Sequence, residues 1–518
     1  MSLEQNLRWM EQYREAYWRR YPATSPVKLR WRALTVRHAF HVLPGESIME
    51  LGAGTGLWTR HLSAVTRGEN PITAVVFNEG FLHTSETLPN VKYVWVSNLL
   101  QDLPGQRFDY IVGTAILCHN RYSENLEVLH RLLKPGGQLL FFEANYWNPQ
   151  VLLKNLVPGL GRWGGNAPCE IGLRKHQIMH MATHQGFTHV EIIPYDIVHP
   201  LTPRFLIRTL QSVAFLLEHM PLVRDLCGTL YIWAKKPGGS EERRSSISLA
   251  EHPEMFGAIS FVAPCHNEEM NVERLVHALV KFYDPYIYEI IIVNDNSSDR
   301  TAEIAAALAT REPRVKLVNR RPPNGVGRAL RDGYAAAGGA FILTMDSDFV
   351  QIVPEFRDLF DAVAAGHEGA IGSRFSYDSL LINYPFFKIF CNRAFHLLAN
   401  LLLPMKMRDV SNNLKFYRAD ILKNLDIERP DFAANAETGL KPLLAGYDIQ
   451  EVPISWINRS VDMGHSSFRI TKVAPSYFRA LAKMVWNCWT GHRRIYKKGA
   501  PLPTHSLNSA NSSPGEDV

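Results

Sequence analysis

Asp346 and Asp348 close an apolar run, "AFILTMDSD" (340–348), with one serine between them. Two carboxylates held that close repel unless a cation sits between them or one stays protonated. Hard divalent ions such as Mg²⁺ or Mn²⁺ take oxygen ligands of this kind. The pair alone is equally compatible with an Asx-turn or a helix cap. A second stretch with chemical potential is "ELGAGTG", where Glu50 precedes Gly52, Gly54 and Gly56. Glycines at this spacing let the backbone turn tightly and approach a ligand. The dinucleotide fingerprint would need glycine at Leu57, and no Lys-Ser/Thr pair follows Gly56 as a P-loop would require.

The elements that position these groups alternate between strand and helix patterns in two successive sets. That alternation predicts an α/β protein with two Rossmann-like domains, mostly parallel sheets and ligands beyond the carboxyl ends of the strands. The segment 237–256, "PGGSEERRSSISLAEHPEMF", reads as a polar linker. Residues 1–236 form the first domain with an N-terminal helical segment, and 257–475 the second. An amphipathic helix at 476–498 and a disordered tail at 499–518 complete the expected layout.

Bulk properties narrow the classes. A chain of 518 residues is long enough for more than one core. The net charge of +6 is small for that length, which argues against general nucleic-acid binding. Six cysteines are scattered with no C-x-x-C pair, consistent with reduced thiols. The N-terminus is charged without an apolar signal core, and no run of 18 apolar residues occurs, so a cytoplasmic location is expected.

In the first half, "SIMELGAGTGLWTRHL" is followed in order by "ITAVVFNEG", "VKYVWVSNLLQDLP", "FDYIVGTAILCH" and "LLKPGGQLLFFEANYWNP". This series resembles the class I S-adenosylmethionine-dependent methyltransferases. The resemblance implies that Glu50 and the glycines Gly52, Gly54 and Gly56 meet the amino-acid end of S-adenosyl-L-methionine. It also implies that Glu79 accepts from ribose hydroxyls and that Asn98 contacts adenine. His119, Glu143 and Tyr146 follow strand ends on the side of the cofactor and are the candidates for handling an unknown methyl acceptor.

In the second half, "ISFVAPCHNEEMNVERLV", "YEIIIVNDNSSDRTAEI", "AFILTMDSDFVQ", "IGSRF" and "DVSNNLKFYRADIL" resemble family 2 glycosyltransferases of the dolichyl- or polyprenyl-phosphate hexosyltransferase type. The resemblance implies that Asp346, Asp348 and Gln351 hold Mg²⁺ or Mn²⁺. It implies further that Pro264, His266, Glu268, Asp295 and Asp346 line the nucleotide-sugar site. Arg374, Arg459 and Lys388 would position an acceptor phosphate, with Asp409 orienting it or acting as a weak base, and Glu437 the other acid available for that role. Asn413 stands where the family has glycine, and Asn294 and Asn296 where it usually has Asp and Gly.

Lys388, Asn392, His396 and Asn400 recur every fourth residue in 384–405, a polar stripe on an otherwise apolar helix. A second such helix carries Trp486 and Trp489 with a basic flank. Both suit peripheral contact with the inner face of a membrane, or packing on the domain's own core. The expected partners are a nucleotide-sugar donor and a polyprenyl phosphate or glycolipid acceptor, with no nucleic acid and no preference as to oligomeric state. Two alternatives stand beside this: transfer to a surface polysaccharide or other glycan, and a first domain that only binds or scaffolds.

Overall fold

Seven short strands with few polar interruptions build the first sheet: β1 (Ile48–Leu51), β2 (Ile72–Val76), β3 (Val91–Trp95), β4 (Phe108–Thr114), β5 (Leu133–Ala144), β6 (Thr188–Tyr195) and β7 (Thr229–Lys235). The computed structural model describes residues 3–84, 87–117, 122–157, 172, 174–238, 247–382, 384–457, 470–490, 496 and 498. Strand order is β3-β2-β1-β4-β5-β7-β6, with β7 antiparallel to both neighbours and the remaining pairs parallel. All four residues of β1 are buried, as expected for a central parallel strand covered on both faces. Order reverses between β1 and β4, so a crevice opens beyond the carboxyl end of β1, where the glycine loop begins. The core combines Met49, Leu51, Val75, Ile111, Leu139 and Phe141 with Leu7 and Met10 of the N-terminal helix α1 (Leu3–Arg20).

The second sheet comprises β8 (Ile259–Cys265), β9 (Ile287–Asn294), β10 (Val315–Asn319), β11 (Phe341–Thr344), β12 (Gly369–Ser373), β14 (Lys415–Arg418) and β15 (Ile449–Pro453); the short β13 (Leu380–Ile382) lies outside it. Its order is β10-β9-β8-β11-β14-β12-β15, with β14 antiparallel to β11 and β12. The reversal here falls between β8 and β11. Val262, Ile291, Ile342 and Ile371 from the strands pack with Phe395, Ala399 and Leu403 and with Ala480, Leu481 and Met484 from two late helices.

The chain divides into two compact units, Met1–Ile247 with Tyr377–Phe390, and Ser248–Ser376 with Cys391–Val518. The second half of the expected linker is built into the second unit: the Leu249 amide donates to Phe282 O at 2.7 Å, and Glu251 and His252 amides donate to the Tyr286 hydroxyl at 2.8 and 2.7 Å. The expected tail, 499–518, lies outside the described residues. Among the described residues no helix is long and apolar enough to cross a membrane.

Candidate active sites

In the second unit, register brings the two loops of interest together. Thr344 of β11 pairs with Val262 of β8, so Asp346 leaves the sheet beside Pro264 at the switch point. On the other side Thr344 pairs with Lys415 of β14, which places Asn413 opposite Asp346; its Nδ2 donates to Asp346 Oδ1 at 2.8 Å. The asparagine standing where the family has glycine thus orients one of the two acids. Asp346 and Asp348 are half-buried, while Gln351 is exposed on the following 3-10 segment (Phe349–Phe356).

The neighbouring β8 and β9 ends carry the nucleotide-side candidates. His266 Nδ1 lies 2.9 Å from Asp295 O. The Asp295 carboxylate pairs with Arg320 and accepts the Gly325 amide at 2.6 Å. It braces this loop, a role the sequence reading did not assign. Glu268 accepts from Asn271 Nδ2 at 2.6 Å and its amide donates to Thr301 Oγ1 at 2.8 Å.

Behind the acids is a buried polar cluster. Arg374 grips Asp409 with both arms, Nε to Oδ2 at 2.7 Å and Nη2 to Oδ1 at 3.0 Å, and Asp409 has no exposed surface. Burial opposes ionisation of Asp409, but the charge and hydrogen bonds of Arg374 outweigh it and hold the carboxyl well below the usual range. Such a group is a poor base. Of the two roles expected for Asp409, orientation or weak base, its two-armed contact with Arg374 favours orientation. Asn392 Nδ2 donates to Ser411 Oγ at 3.0 Å, and His396 Nε2 accepts the Val410 amide at 2.9 Å. Since Nε2 accepts, the His396 proton sits on Nδ1, facing Asn392 O at 2.8 Å, and burial pushes the imidazole down to about 4. Lys415, fully buried, donates to Asn435 O at 3.1 Å; burial pushes its ammonium down to about 7, with Asp409 and Asp346 pulling upward. Glu437 is a structural acid: it pairs with Lys441 at 3.0 Å and accepts the amides of Glu428 and Arg429. Arg459 lies outside the described residues.

Asn392, His396 and Asn400 point inward from the helix Phe386–Leu402, each bonded to the segment 407–411. These three polar residues therefore face protein together with Phe395 and Ala399, and the leucines at 397 and 401 face out. Leu397 and Leu401 are 69 % and 77 % exposed, and Trp486 and Trp489 of the helix Ile470–Trp489 are 68 % and 70 % exposed. Trp489 Nε1 donates to Leu402 O at 3.1 Å, so the carboxyl ends of the two helices adjoin.

In the first unit, Gly52, Gly54 and Gly56 all have φ in the left-handed region, at +68°, +59° and +85°. Glu50 is fully buried on β1, and burial pushes its carboxyl up to about 7 against the Thr59 hydroxyl and the Arg14 charge. Asn98, the expected adenine contact, caps the helix Leu99–Asp102, its Oδ1 accepting from the amides of Leu100 and Gln101 at 3.1 Å. Glu79 is exposed at the start of a 3-10 turn. Glu143 accepts the amides of Ile116 and Leu117 at 3.2 Å, and burial pushes it up to about 8. The ring of Tyr146 lies under the Arg174 guanidinium, 4.2 Å from its centroid. His119 lies outside the described residues.

Three residues absent from the sequence reading touch the glycine loop. Glu11 accepts from the amides of Gly54, Phe77 and Asn78 at 3.1, 3.0 and 2.9 Å. Arg14 donates to Gly52 O and to Thr114 O, and Glu15 bonds the Thr55 hydroxyl. The signal available for them was charge at positions 11, 14 and 15 on the helix face that also carries Leu7, Met10 and Trp18.

The two units define an α/β pair in which each crevice sits at its sheet's switch point, the first lined by a glycine loop and the second by paired acids. Residues 19–192 match the family model for a methyltransferase domain, and 260–426 match that for glycosyl transferase family 2. The chain carries a methyltransferase domain followed by a family 2 glycosyltransferase domain, two transferase domains in one protein. Its second domain is similar to a dolichol-phosphate mannosyltransferase of Pyrococcus furiosus, 27 % identical over 38 % of this chain and 56 % of the relative. It is similar, again at 27 %, to a polyprenol monophosphomannose synthase of Mycolicibacterium smegmatis over 40 % of this chain and 80 % of that protein. Among solved structures, glucosyl-3-phosphoglycerate synthase from Mycobacterium tuberculosis, in complex with Mn²⁺ and uridine-diphosphate-glucose, aligns over 49 % of this chain and 84 % of its own at 18 % identity and a TM-score of 0.36.

The residues present fit the groups these families imply. Asp346 and Asp348 offer hard oxygen donors in one loop, with Asn413 setting the rotamer of the first. The amides of Gly54, Phe77 and Asn78 and the carbonyls of Gly52 and Thr114 converge on one cleft, a donor and acceptor set suited to a zwitterionic nucleoside.

Proposed function

We propose that the second domain transfers a hexose from a nucleotide sugar to a polyprenyl phosphate or related glycolipid with inversion, and that the first transfers the methyl group of S-adenosylmethionine to a separate acceptor. The observation that carries the first claim is the emergence of Asp346 and Asp348 at the β8–β11 switch point, beside Pro264 and His266 and in front of the Arg374–Asp409 pair. A divalent cation bound there would neutralise the departing nucleoside diphosphate. A phosphate acceptor is already ionised near neutral pH, so its oxygen attacks the anomeric carbon as the bond to the diphosphate breaks. No strong base is needed, in keeping with the low basicity of Asp409. What the chain supplies is placement: Asn413 fixes Asp346, and Arg374 with Asn392 fixes the Asp409 loop. The exposed apolar surface of Leu397, Leu401, Trp486 and Trp489 supports peripheral attachment to a lipid surface, with the acceptor drawn from it.

Titrating nucleotide sugars into the protein with and without Mn²⁺ tests the site. Binding should require the ion in wild type and be lost in Asp348→Ala; ion-independent binding of equal strength would overturn it. A second reading, in which the first domain is only a binding or scaffold module that does not take S-adenosylmethionine, is favoured by Asn98 acting as a helix cap. Calorimetry with S-adenosylmethionine separates the two.

A further inference from the structure

One turn of the N-terminal helix presents three charged side chains to the glycine loop, and all three are nearly devoid of exposed surface: Glu11, Arg14 and Glu15. Burying charge is costly unless each group is met by partners, and here the partners are the polar backbone of the cofactor cleft. The Glu11 carboxylate takes the amides of Gly54, Phe77 and Asn78, joining the loop after β1 to the end of β2. The Arg14 guanidinium takes the carbonyls of Gly52 and Thr114, at the ends of β1 and β4. Glu15 takes the hydroxyl of Thr55, and a Cβ on Gly54 would stand only 2.7 Å from Glu15 Oε2. Glu11 and Arg14 thus reproduce the charge pattern of an amino-acid-bearing nucleoside: anion on the amides, cation on the carbonyls. The helix leaves no gap over Gly54 for a bound ligand to share.

We propose that helix α1 is an internal stand-in for the cofactor, and that S-adenosylmethionine binds by displacing Glu11, Arg14 and Glu15 from the glycine loop. The inference rests on the methyltransferase reading of the first domain and adds a competition that the reading does not require. It makes cofactor affinity depend on how firmly the helix is seated, because a protein conformation that excludes the ligand lowers apparent affinity by the fraction of molecules it occupies.

Two measurements on the full-length protein test it. Hydrogen exchange of the peptide covering residues 3–20 should speed up when S-adenosylmethionine is added to wild type. By calorimetry Glu11→Gln and Arg14→Met should bind the cofactor more tightly than wild type, by about tenfold each, since each removes charge-assisted bonds that hold the helix down. Binding gained only in the variants supports the proposal equally. Cofactor binding that leaves helix exchange unchanged or slowed, or that weakens in both variants, overturns the displacement alone. Failure of wild type and both variants to bind overturns the displacement together with the methyltransferase reading.

Discussion

Asp409 and Arg374 are worth most as a pair. The carboxylate is fully buried and its ionisation is sustained by the guanidinium beside it, so removing one charge strands the other in a low-dielectric site. Asp409→Asn should destabilise the second unit by about 3–5 kcal/mol in urea unfolding. Its residual transfer activity should keep the wild-type pH profile, because no base has been removed; disappearance of an acidic limb present in wild type would mean that Asp409 does take a proton. Asp348→Ala should leave stability nearly unchanged and abolish sugar transfer, with S-adenosylmethionine binding by the other domain intact. Joint loss of both functions would mean the two sites are not independent. These residues differ in how readable they were. The Asp346–Ser–Asp348 spacing announced itself at a strand end. The partner of Arg374 did not, because a bidentate contact across 35 positions depends on strand register that no local pattern reveals.

At the level of elements, the glycine loop and the helix Phe386–Leu402 show what periodicity can and cannot say. The glycines at 52, 54 and 56 were legible because their left-handed φ values demand glycine. Gly54→Val puts a branched residue at a left-handed φ and fills the space where the loop backbone would meet a ligand, so it should lower both the stability of the first unit and its cofactor affinity. Normal affinity in that variant would contradict the loop assignment. The four-residue polar stripe was equally legible, but its direction was not. Amphipathic patterning does not say which side meets water, and here Asn392, His396 and Asn400 satisfy the backbone and side chains around Asp409 while leucines face outward. Leu401→Glu combined with Trp489→Glu should reduce sedimentation with anionic phospholipid vesicles by about tenfold or more, given the transfer energy of each apolar group. Transfer to a short, water-soluble acceptor phosphate should persist. Unchanged vesicle binding would assign the surface elsewhere.

For the whole molecule, two sheets of seven strands carry two transferase domains, and each buries charged groups whose ionisation is linked to folding. In the first unit, burial raises Glu50 to about 7 and Glu143 and Glu218 to about 8. A carboxyl raised in the folded state favours folding fully at pH below its unfolded value, and that contribution is lost as pH rises through the folded value. Hydrogen exchange in the strands of the first unit, corrected for intrinsic rates, should therefore accelerate less between pH 5 and 8 in Glu143→Gln than in wild type. In the second unit, Lys415 is lowered to about 7, so the unfolded chain binds the extra proton above that point and stability from this residue rises with pH. A slope in the first unit that is the same in Glu143→Gln as in wild type would refute this assignment of buried charge. The architecture itself was visible in the alternation of strands and helices, whereas the seating of the N-terminal helix on the glycine loop was not, since charged residues on a helix ordinarily mark its wet face.

The most direct test of the account is to incubate the purified protein with Mg²⁺ or Mn²⁺, a panel of labelled nucleotide sugars and polyprenyl phosphate, and then to extract into organic solvent. A labelled lipid should form with one donor, vanish on chelation and be absent with Asp348→Ala. No labelled lipid with any donor, or lipid labelling that survives the loss of Asp348, would contradict the central claim.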